Sequence, residues 1–319
     1  MPTDIALTGL ALPLAEFPAI AREAEHRGYR TAWVGEASGA EAIVLSTLIA
    51  THTTRIGIAN GVIPVQTRTP IVYAQAAATL AHLAPGRFGL GLGLSSEIIV
   101  GQWHGLPFAP SIQQMREAVQ IIRTAAAGER VTFEGKFYRM KNFRLAIPAP
   151  APPPRIYLAA LGPRMCELAG EIADGVVLWL CSPGYVRDVA MPALQSGRAR
   201  AGKTLAGFEV VAAVPLAISD EAPVALTAFR GELSRYLTLP FYRAMLESSG
   251  LGKELAIFDK SGEVAEPLPR ALGGVGAPEA GRAFVQAYRD AGVTLPAIRP
   301  ITFPDAPWYR RTLEEASRW

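Results

Sequence analysis

The sequence predicts a (β/α)₈ barrel, which is a closed parallel sheet of eight strands surrounded by helices. Short apolar runs alternate with helical patterns along all 319 residues, as expected for parallel strands that are covered on both faces. Eight such runs can be counted, which is the number of strands in this barrel. An open doubly wound sheet remains the alternative, because alternation alone does not establish closure. With no repeat or second domain boundary in view, residues 1–319 are interpreted as one barrel domain.

The predicted strands are short, nearly continuous hydrophobic runs. They are Ile5–Leu10, Thr31–Gly35, Arg55–Val62, Phe88–Leu94, Ile156–Leu161, Gly175–Leu180, Glu209–Ile218 and Ala297–Thr302. Apolar stripes of helical period fill the intervals, most clearly from Leu14, from Ile112 and from Phe284. The last of these helices is predicted to end at Gly292, because glycine often terminates a helix.

Two insertions interrupt this alternation. After the fourth strand, Val131–Met140 is typical of a hairpin, and the proline-rich run Pro148–Pro154 predicts a stiff connector to the fifth strand. After the seventh strand, a helical part, Leu226–Glu247, is expected to cover the barrel mouth. The part that follows it, Gly250–Gly276, is expected to be rich in loops.

Composition restricts the class of partner. Lys and Arg number 31 against 28 Asp and Glu, so the net charge of +3 gives no reason to expect nucleic acid or an anionic membrane as a partner. No apolar run reaches the length of a membrane span, and the first residues lack a basic leader. A soluble, cytoplasmic protein that acts on a small molecule is therefore expected.

Cysteine and histidine usage argues against disulfides and metal. Cys166 and Cys181 are predicted to be free, buried thiols in a reducing compartment. The histidines are scattered along the chain, which argues against a zinc site. They are His26, His52, His82 and His104.

Candidate catalytic groups lie where barrel strands end. Glu36 directly follows the apolar second strand, where burial could raise its pKa and make it an acid or a hydrogen-bond acceptor. Its alternative role is to cap the helix that starts near Glu41. His104 follows the fourth strand and is the histidine expected in an active-site loop, in contact with substrate or cofactor.

Glycines mark two other strand ends. Gly61 and Val62 end the third strand, where glycine permits a bulge or an unusual peptide close to a ligand, or a simple turn. In the fourth strand, Gly89, Gly91 and Gly93 share one face, which a neighbouring barrel layer or a ligand could fill. Their spacing is not a dinucleotide fingerprint. Ser95 lies just beyond them at the mouth.

A candidate anion site follows the fifth strand. Gly162 and Pro163 start a helix, so the amides of Arg164, Met165 and Cys166 would lack partners, and Arg164 adds positive charge. An ordinary helix start is the alternative. A rival phosphate site is Gly273–Gly281, whose alternative is a flexible turn in which Ala-Pro-Glu starts a helix.

Several of these segments together resemble the luciferase-like family, in particular its branch that uses coenzyme F420, a 5-deazaflavin. They are Trp33–Glu36, Ile58–Pro70, Tyr73–Gly93, Ala159–Gly175 and Val275–Pro300. The most specific motif is ALGPRMCELAGEIADGV, and NGVIPVQTRTP is nearly as specific. The chain is similar to methylenetetrahydromethanopterin reductase-like proteins.

The resemblance implies a set of roles. A non-proline cis peptide at Gly61–Val62 would back the cofactor ring, near Glu36, Gly93 and Ser95. The backbone of Ala160, Leu161, Gly162, Pro163 and Arg164 would hold its phosphate. A homodimer or larger assembly is also implied.

One departure from the family narrows the chemistry. Many deazaflavin members place a histidine after the acidic residue at the end of the second strand, whereas here Ala37 follows Glu36. Sugar-phosphate oxidation, which depends on that histidine, is therefore disfavoured. A reductase of C=C, C=N or C=O bonds fits better, with protonation by Glu36, another group or water.

Three functions remain open from the sequence. The first is F420-dependent hydride transfer, in which the barrel orients the reactants and excludes water. The second is a reduced-FMN monooxygenase on the same fold. The third is a barrel that binds a flavin without catalysis.

Overall fold

The computed structural model describes residues 3–7, 13–301 and 308–319. The strands are β1 (Asp4–Ala6), β2 (Thr31–Val34), β3 (Gly57–Asn60), β4 (Ile63–Pro64), β5 (Phe88–Gly93), β6 (Val131–Glu134), β7 (Arg139–Phe143), β8 (Arg155–Ala159), β9 (Gly175–Trp179), β10 (Glu209–Ile218), β11 (Gly274–Gly276) and β12 (Leu295–Pro300).

Eight of these strands close into a parallel barrel. Their order is β1–β2–β3–β5–β8–β9–β10–β12, and β12 pairs back with β1. The closed ring confirms the predicted barrel and excludes the open sheet. Strand β4 briefly continues the course of β3 along β5, and β11 extends the sheet along the end of β10.

Helices connect consecutive barrel strands. They are α1 (Phe17–His26), α2 (Ala42–His52), α3 (Pro70–Leu83), α4 (Ile112–Ala126), α5 (Pro163–Ile172), α6 (Pro183–Tyr185), α7 (Met191–Arg200), α8 (Ala222–Tyr236), α9 (Pro240–Ser248), α10 (Gly252–Ser261), α11 (Pro267–Leu272), α12 (Pro278–Asp290) and α13 (Trp308–Ala316). A 3₁₀ turn at Leu14–Glu16 and wide π-helical turns at Ile98–Trp103 and Val186–Ala190 complete them. In the described part of the chain, no helix combines the length and apolar character needed to cross a membrane.

The barrel has two separate hydrophobic regions. The larger lies between the strands and the helices. The smaller fills the barrel interior with Ala6, Trp33, Ala59, Tyr157, Val177, Val211, Leu295 and Ala297. Because side chains alternate along a strand, these residues establish which positions of each strand face inward.

Both predicted insertions are present after the fourth and seventh barrel strands. The hairpin is confirmed as β6 and β7, which pair antiparallel. The helical cover is divided into α8 and α9. The expectation of a loop-rich Gly250–Gly276 is wrong, because α10, α11 and β11 occupy most of it.

Most strand predictions agree with the structure to within a residue or two. The last barrel strand begins at Leu295 rather than Ala297, because Pro296 is tolerated inside it. The third ends at Asn60, two residues before the predicted end. Residues 8–10 of the first predicted strand and Thr302 of the last lie outside the described residues.

Candidate active site

The mouth of the barrel has two unlike walls. Side chains that face the barrel interior recur at every second position of a strand. Continuing that alternation toward the carboxyl ends of β2, β3, β5 and β8 gives the inward-facing residues Gly35, Gly61, Gly93 and Ala159. We call these four residues the small-residue wall. The same alternation places Trp179 of β9 and Arg299 of β12 on the opposite side, and we call these two the large-residue wall.

The peptide bond between Gly61 and Val62 is cis, as predicted. It interrupts β3 and separates it from β4. The Gly61 amide donates to the Val34 carbonyl at 2.9 Å, and the Glu36 amide donates to the Val62 carbonyl at 3.2 Å. These bonds attach the bulge to the end of β2, so the third strand ends in a defined bulge rather than a simple turn.

The glycine face of β5 is filled by protein. A β-carbon on Gly91 would lie 1.8 Å from the Asn60 carbonyl oxygen, and one on Gly93 would lie 2.9 Å from a Val62 methyl group. The corresponding position on Gly89 is 2.5 Å from the Tyr157 ring. Of the two alternatives, a neighbouring layer therefore fills this face. The implied contact of Gly93 with a cofactor stays a prediction, and its visible role is to make room for Val62.

Glu36 lies at the mouth in a dense polar network. Both of its carboxylate oxygens accept hydrogen bonds from Arg68, each at 2.8 Å, and one also accepts from the Ala42 amide at 3.1 Å. Arg68 also pairs with Glu41, whose other carboxylate oxygen caps α2 through the Val44 amide. Glu36 thus contacts the start of α2, in agreement with the alternative capping role.

The expectation that burial raises the pKa of Glu36 is wrong. Burial alone would raise it, but the hydrogen bonds from Arg68 and Ala42 outweigh that effect, with a smaller contribution from the charge of His104. The pKa of Glu36 is held below its usual value, so the group is a carboxylate at neutral pH. In the unliganded structure Glu36 is an acceptor and not a proton donor.

The structure brings His104 and Ser95 to the same end of the barrel as Glu36. The exposed His104 follows the π-helical turn Ile98–Trp103, and its charge influences Glu36. Ser95 directly follows β5 with a positive φ of 59°, a conformation that non-glycine residues adopt rarely. This conformation is consistent with a mouth position for Ser95, and its cofactor contact stays a prediction.

The start of α5 is more fully bonded than the sequence suggested. Gly162 caps the helix, and its carbonyl accepts from the amides of Met165 and Cys166, each at 3.1 Å. The expectation that these two amides lack partners is wrong, because the carbonyl of an N-cap residue already accepts helical bonds. Within the described residues, the amides of Leu161, Gly162 and Arg164 have no protein acceptor. Gly162 also faces open space.

The other groups of this loop are bonded to or packed on neighbouring segments. The Leu161 carbonyl accepts from the Tyr185 hydroxyl at 2.6 Å, which fixes the loop on the next helical segment, and the buried Ala160 donates its amide to the Val177 carbonyl. The Arg164 side chain lines a surface cleft of about 300 Å³ between α4, α5 and α7. Pro163 occupies the first turn of α5. Free backbone donors therefore concentrate at Leu161–Arg164, beside the mouth.

The rival phosphate segment has a packing role. Gly274–Gly276 forms β11, so the expectation of a flexible turn is wrong for these residues, whereas Ala277, Pro278 and Glu279 start α12 as that alternative expected. A β-carbon on Gly273 would lie 2.5 Å from Phe229, and one on Gly281 would lie 2.6 Å from Ile218. These glycines allow close packing and do not open a cradle.

Sequence reasoning missed Arg68. It lies in the loop after β4, 32 residues from Glu36, so its bidentate pairing depends on the closed barrel. The sequence did carry a signal for this pair. Arg68 follows the third barrel strand and Glu36 follows the second, and the ends of adjacent parallel strands lie side by side. The predicted thiols Cys166 and Cys181 are free and buried, as expected. Among the described residues, no group of His, Cys, Asp or Glu side chains could hold a metal ion.

Comparison with known proteins identifies the family. The model of the luciferase-like monooxygenase family matches residues 2–295. The chain belongs to this family. An uncharacterized protein of Mycobacterium tuberculosis is 33% identical over 75% of this chain and 74% of its own length. The F420-dependent glucose-6-phosphate dehydrogenase of Kineococcus radiotolerans is 31% identical over 69% of each chain.

Solved structures of this family share the whole fold. The coenzyme F420-dependent tetrahydromethanopterin reductase of Methanopyrus kandleri covers 99% of this chain and 97% of its own, with a TM-score of 0.78 at 23% identity. An F420-dependent secondary alcohol dehydrogenase solved with an F420–acetone adduct covers 100% of this chain and 98% of its own, with a TM-score of 0.82 at 20% identity. At these identities the likeness establishes the fold.

Proposed function

We propose that this chain is a coenzyme F420-dependent oxidoreductase that transfers hydride between the cofactor and a small organic substrate. The observation that carries the proposal is the set of unpartnered backbone amides at Leu161, Gly162 and Arg164, beside the mouth of a barrel of this family. The named relatives that use F420 support the choice of cofactor. A reductase of C=C, C=N or C=O bonds is the finer form of this proposal.

The residues present fit such a cofactor. The small-residue wall carries no side chain larger than a methyl group, so a flat ring could approach the backbone beside the bulge closely. The unpartnered amides of Leu161, Gly162 and Arg164 can donate to phosphate oxygens, and a helix N-terminus favours negative charge. The open space around Gly162 gives a phosphate group room to approach.

Each part of the mouth then has a chemical task. When bound, the deazaflavin supplies a hydride from its ring. The Glu36–Arg68 pair fixes the chain beside the bulge and provides an anionic acceptor, because Glu36 stays ionised. His104 is the candidate proton donor, since it is exposed and close enough for its charge to affect Glu36.

Binding titrations with F420, FMN and FAD, followed by cofactor fluorescence, test the proposal. We expect F420 to bind most tightly, and the tightest binding by FMN would favour a monooxygenase instead. Gly162→Asp should weaken F420 binding, because it places a carboxylate beside the phosphate, although Asp is a good N-cap residue that preserves the helix. Gly252→Asp is the matched control, since Gly252 also faces open space at a helix start. Equal affinity in both variants would place the phosphate elsewhere, with Gly273–Gly276 the next segment to test.

Two further proposals follow from the resemblance to the family. We propose that residues 1–319 act as one barrel domain and that the chain forms a homodimer, which sedimentation velocity at micromolar concentration tests. A monomer under those conditions would contradict the homodimer. The cytoplasmic location stays a prediction.

A further inference from the structure

The large-residue wall contains a buried ion pair. Arg299, at 8% exposure, faces the mouth from β12 and donates to the Glu232 carboxylate on α8 at 2.6 Å. The two side chains are only 10% and 17% exposed. A buried guanidinium at the mouth would otherwise attract an anionic substrate, but here a carboxylate of the same chain already occupies it.

Aromatic rings surround this pair. The Arg299 guanidinium lies 5.1 Å from the centre of the Trp179 ring, and Trp179 meets the edge of Tyr236 at 5.8 Å. Tyr236 in turn contacts Tyr242 of α9 at 5.0 Å. Helix α8 thus places the partly exposed Tyr236 ring next to a neutralised cation, with the buried Tyr242 of α9 packed against it.

Within the described residues, a second, partly buried cation at the mouth is also neutralised. Arg68 is paired with Glu36 and Glu41. An anionic substrate would have to displace a carboxylate from one of these arginines, which costs the desolvation of the group left unpaired. Electrostatic arrangement of this kind selects against ligands of the wrong charge.

We propose that the substrate is an uncharged molecule with an apolar or aromatic part, and that Glu232 is the specificity-determining residue that excludes phosphorylated and carboxylated substrates. This inference rests on the proposed function only in placing the substrate at the mouth. It separates this chain from its relative named F420-dependent glucose-6-phosphate dehydrogenase, because a sugar phosphate would meet no free cation on the large-residue wall.

The test is whether Glu232→Gln creates an anion site. Glutamine keeps an oxygen that accepts from Arg299 but removes the competing charge. Binding of inorganic phosphate and of glucose 6-phosphate is measured by calorimetry on the cofactor-free protein. We expect wild-type binding of these anions to come from the amides at Leu161–Arg164 alone and to be unchanged by Arg299→Met, and an affinity at least about tenfold higher in Glu232→Gln.

Two variants make the result specific to Arg299. Glu266→Gln is the matched control, because Glu266 forms an ion pair with Arg270 in which both side chains are exposed; it should bind phosphate no better than the wild type. Glu232→Gln with Arg299→Met should lose the gained binding. Anion binding by the wild type that Arg299→Met abolishes would overturn the proposal. So would the absence of a gain in a Glu232→Gln protein whose urea midpoint is unchanged.

The cofactor titrations are independent of this experiment. If F420 fails to bind while Glu232→Gln gains phosphate, the proposed cofactor is wrong and the charge neutralisation stands. If F420 binds and Glu232→Gln gains no phosphate binding, the proposed cofactor stands and the proposed role of Glu232 is wrong. For a Glu232→Gln protein that does not fold, Glu232→Ala provides the same loss of charge and the same expected gain.

Discussion

Arg68→Met tests the polar network that fixes the mouth. Arg68 donates two hydrogen bonds of 2.8 Å to a Glu36 carboxylate that is only 9% exposed, while its own side chain is 19% exposed. Removing one partner of a buried pair costs about 3–5 kcal/mol. The Ala42 amide remains to offset about 1 kcal/mol of this. We therefore expect a loss of about 2–4 kcal/mol in the free energy of unfolding at pH 7.

The pH dependence gives the sharper test. The pKa of Glu36 lies below its usual 4.5 in the wild type. Its stabilising contribution is therefore present above pH 4.5 and lost as the pH falls through the folded pKa. Without Arg68, burial dominates and raises that pKa. The contribution of Glu36 in the variant is then present below pH 4.5 and lost as the pH rises through the raised value.

Urea unfolding of both proteins between pH 4 and 8 measures this difference. The penalty of Arg68→Met should grow as the pH rises. Arg270→Met is the matched control, because it breaks an exposed pair with Glu266, and exposed pairs contribute little. An Arg68→Met penalty equal to that of Arg270→Met, or one that does not change with pH, would refute the reasoning.

Three other predictions follow from described contacts. Gly91→Ala should cost about 3 kcal/mol in urea unfolding and weaken F420 binding, because its β-carbon would overlap the Asn60 carbonyl at 1.8 Å. Gly252→Ala, in open space at the start of α10, should not lower stability, and equal midpoints for the two would contradict this. Burial raises the pKa of Asp4 from 3.8 to about 7. The free energy of unfolding of the wild type should therefore fall by up to about 1.4 kcal/mol per pH unit between pH 4 and 7, and Asp4→Asn should remove that slope. A slope that persists in Asp4→Asn would show that other groups cause it. Glu36→Gln should weaken F420 affinity and keep the shape of the pH–rate profile, whereas a drop of about 10²–10⁴-fold in turnover at unchanged affinity would restore its role as an acid.

The sequence predicted the barrel well, since each strand is a local apolar run between local helical patterns. The prediction failed where residues that usually mark loops serve instead as helix boundaries in the folded chain. Gly250–Gly276 carries many glycines and prolines, but Pro267 starts a helix and Gly262 ends one with a φ of 71°. These residues mark helix boundaries there and not loops.

The candidate site was predictable in place but not in chemistry. Glu36, the cis bulge and the loop at Leu161–Arg164 all lie at the expected end of the barrel. The protonation state of Glu36 was missed because it depends on Arg68, whose position follows from the packing of two loops. Likewise, the ion pair of Glu232 with Arg299 joins residues 67 positions apart, so no short sequence motif could predict it.

The two walls of the mouth differ in the substitutions that they tolerate. Glycine cannot be made smaller, so a substitution at Gly35 or Gly93 can only add atoms, and these collide with the bulge at Gly61 and Val62. Trp179, Tyr236 and Tyr242 can be trimmed or exchanged, and the last two belong to an insertion whose length the barrel does not constrain. New substrate preferences should therefore arise from α8 and α9 and from Trp179, while the opposite half is inherited with little change. A mutant library for altered substrate range is best confined to those segments.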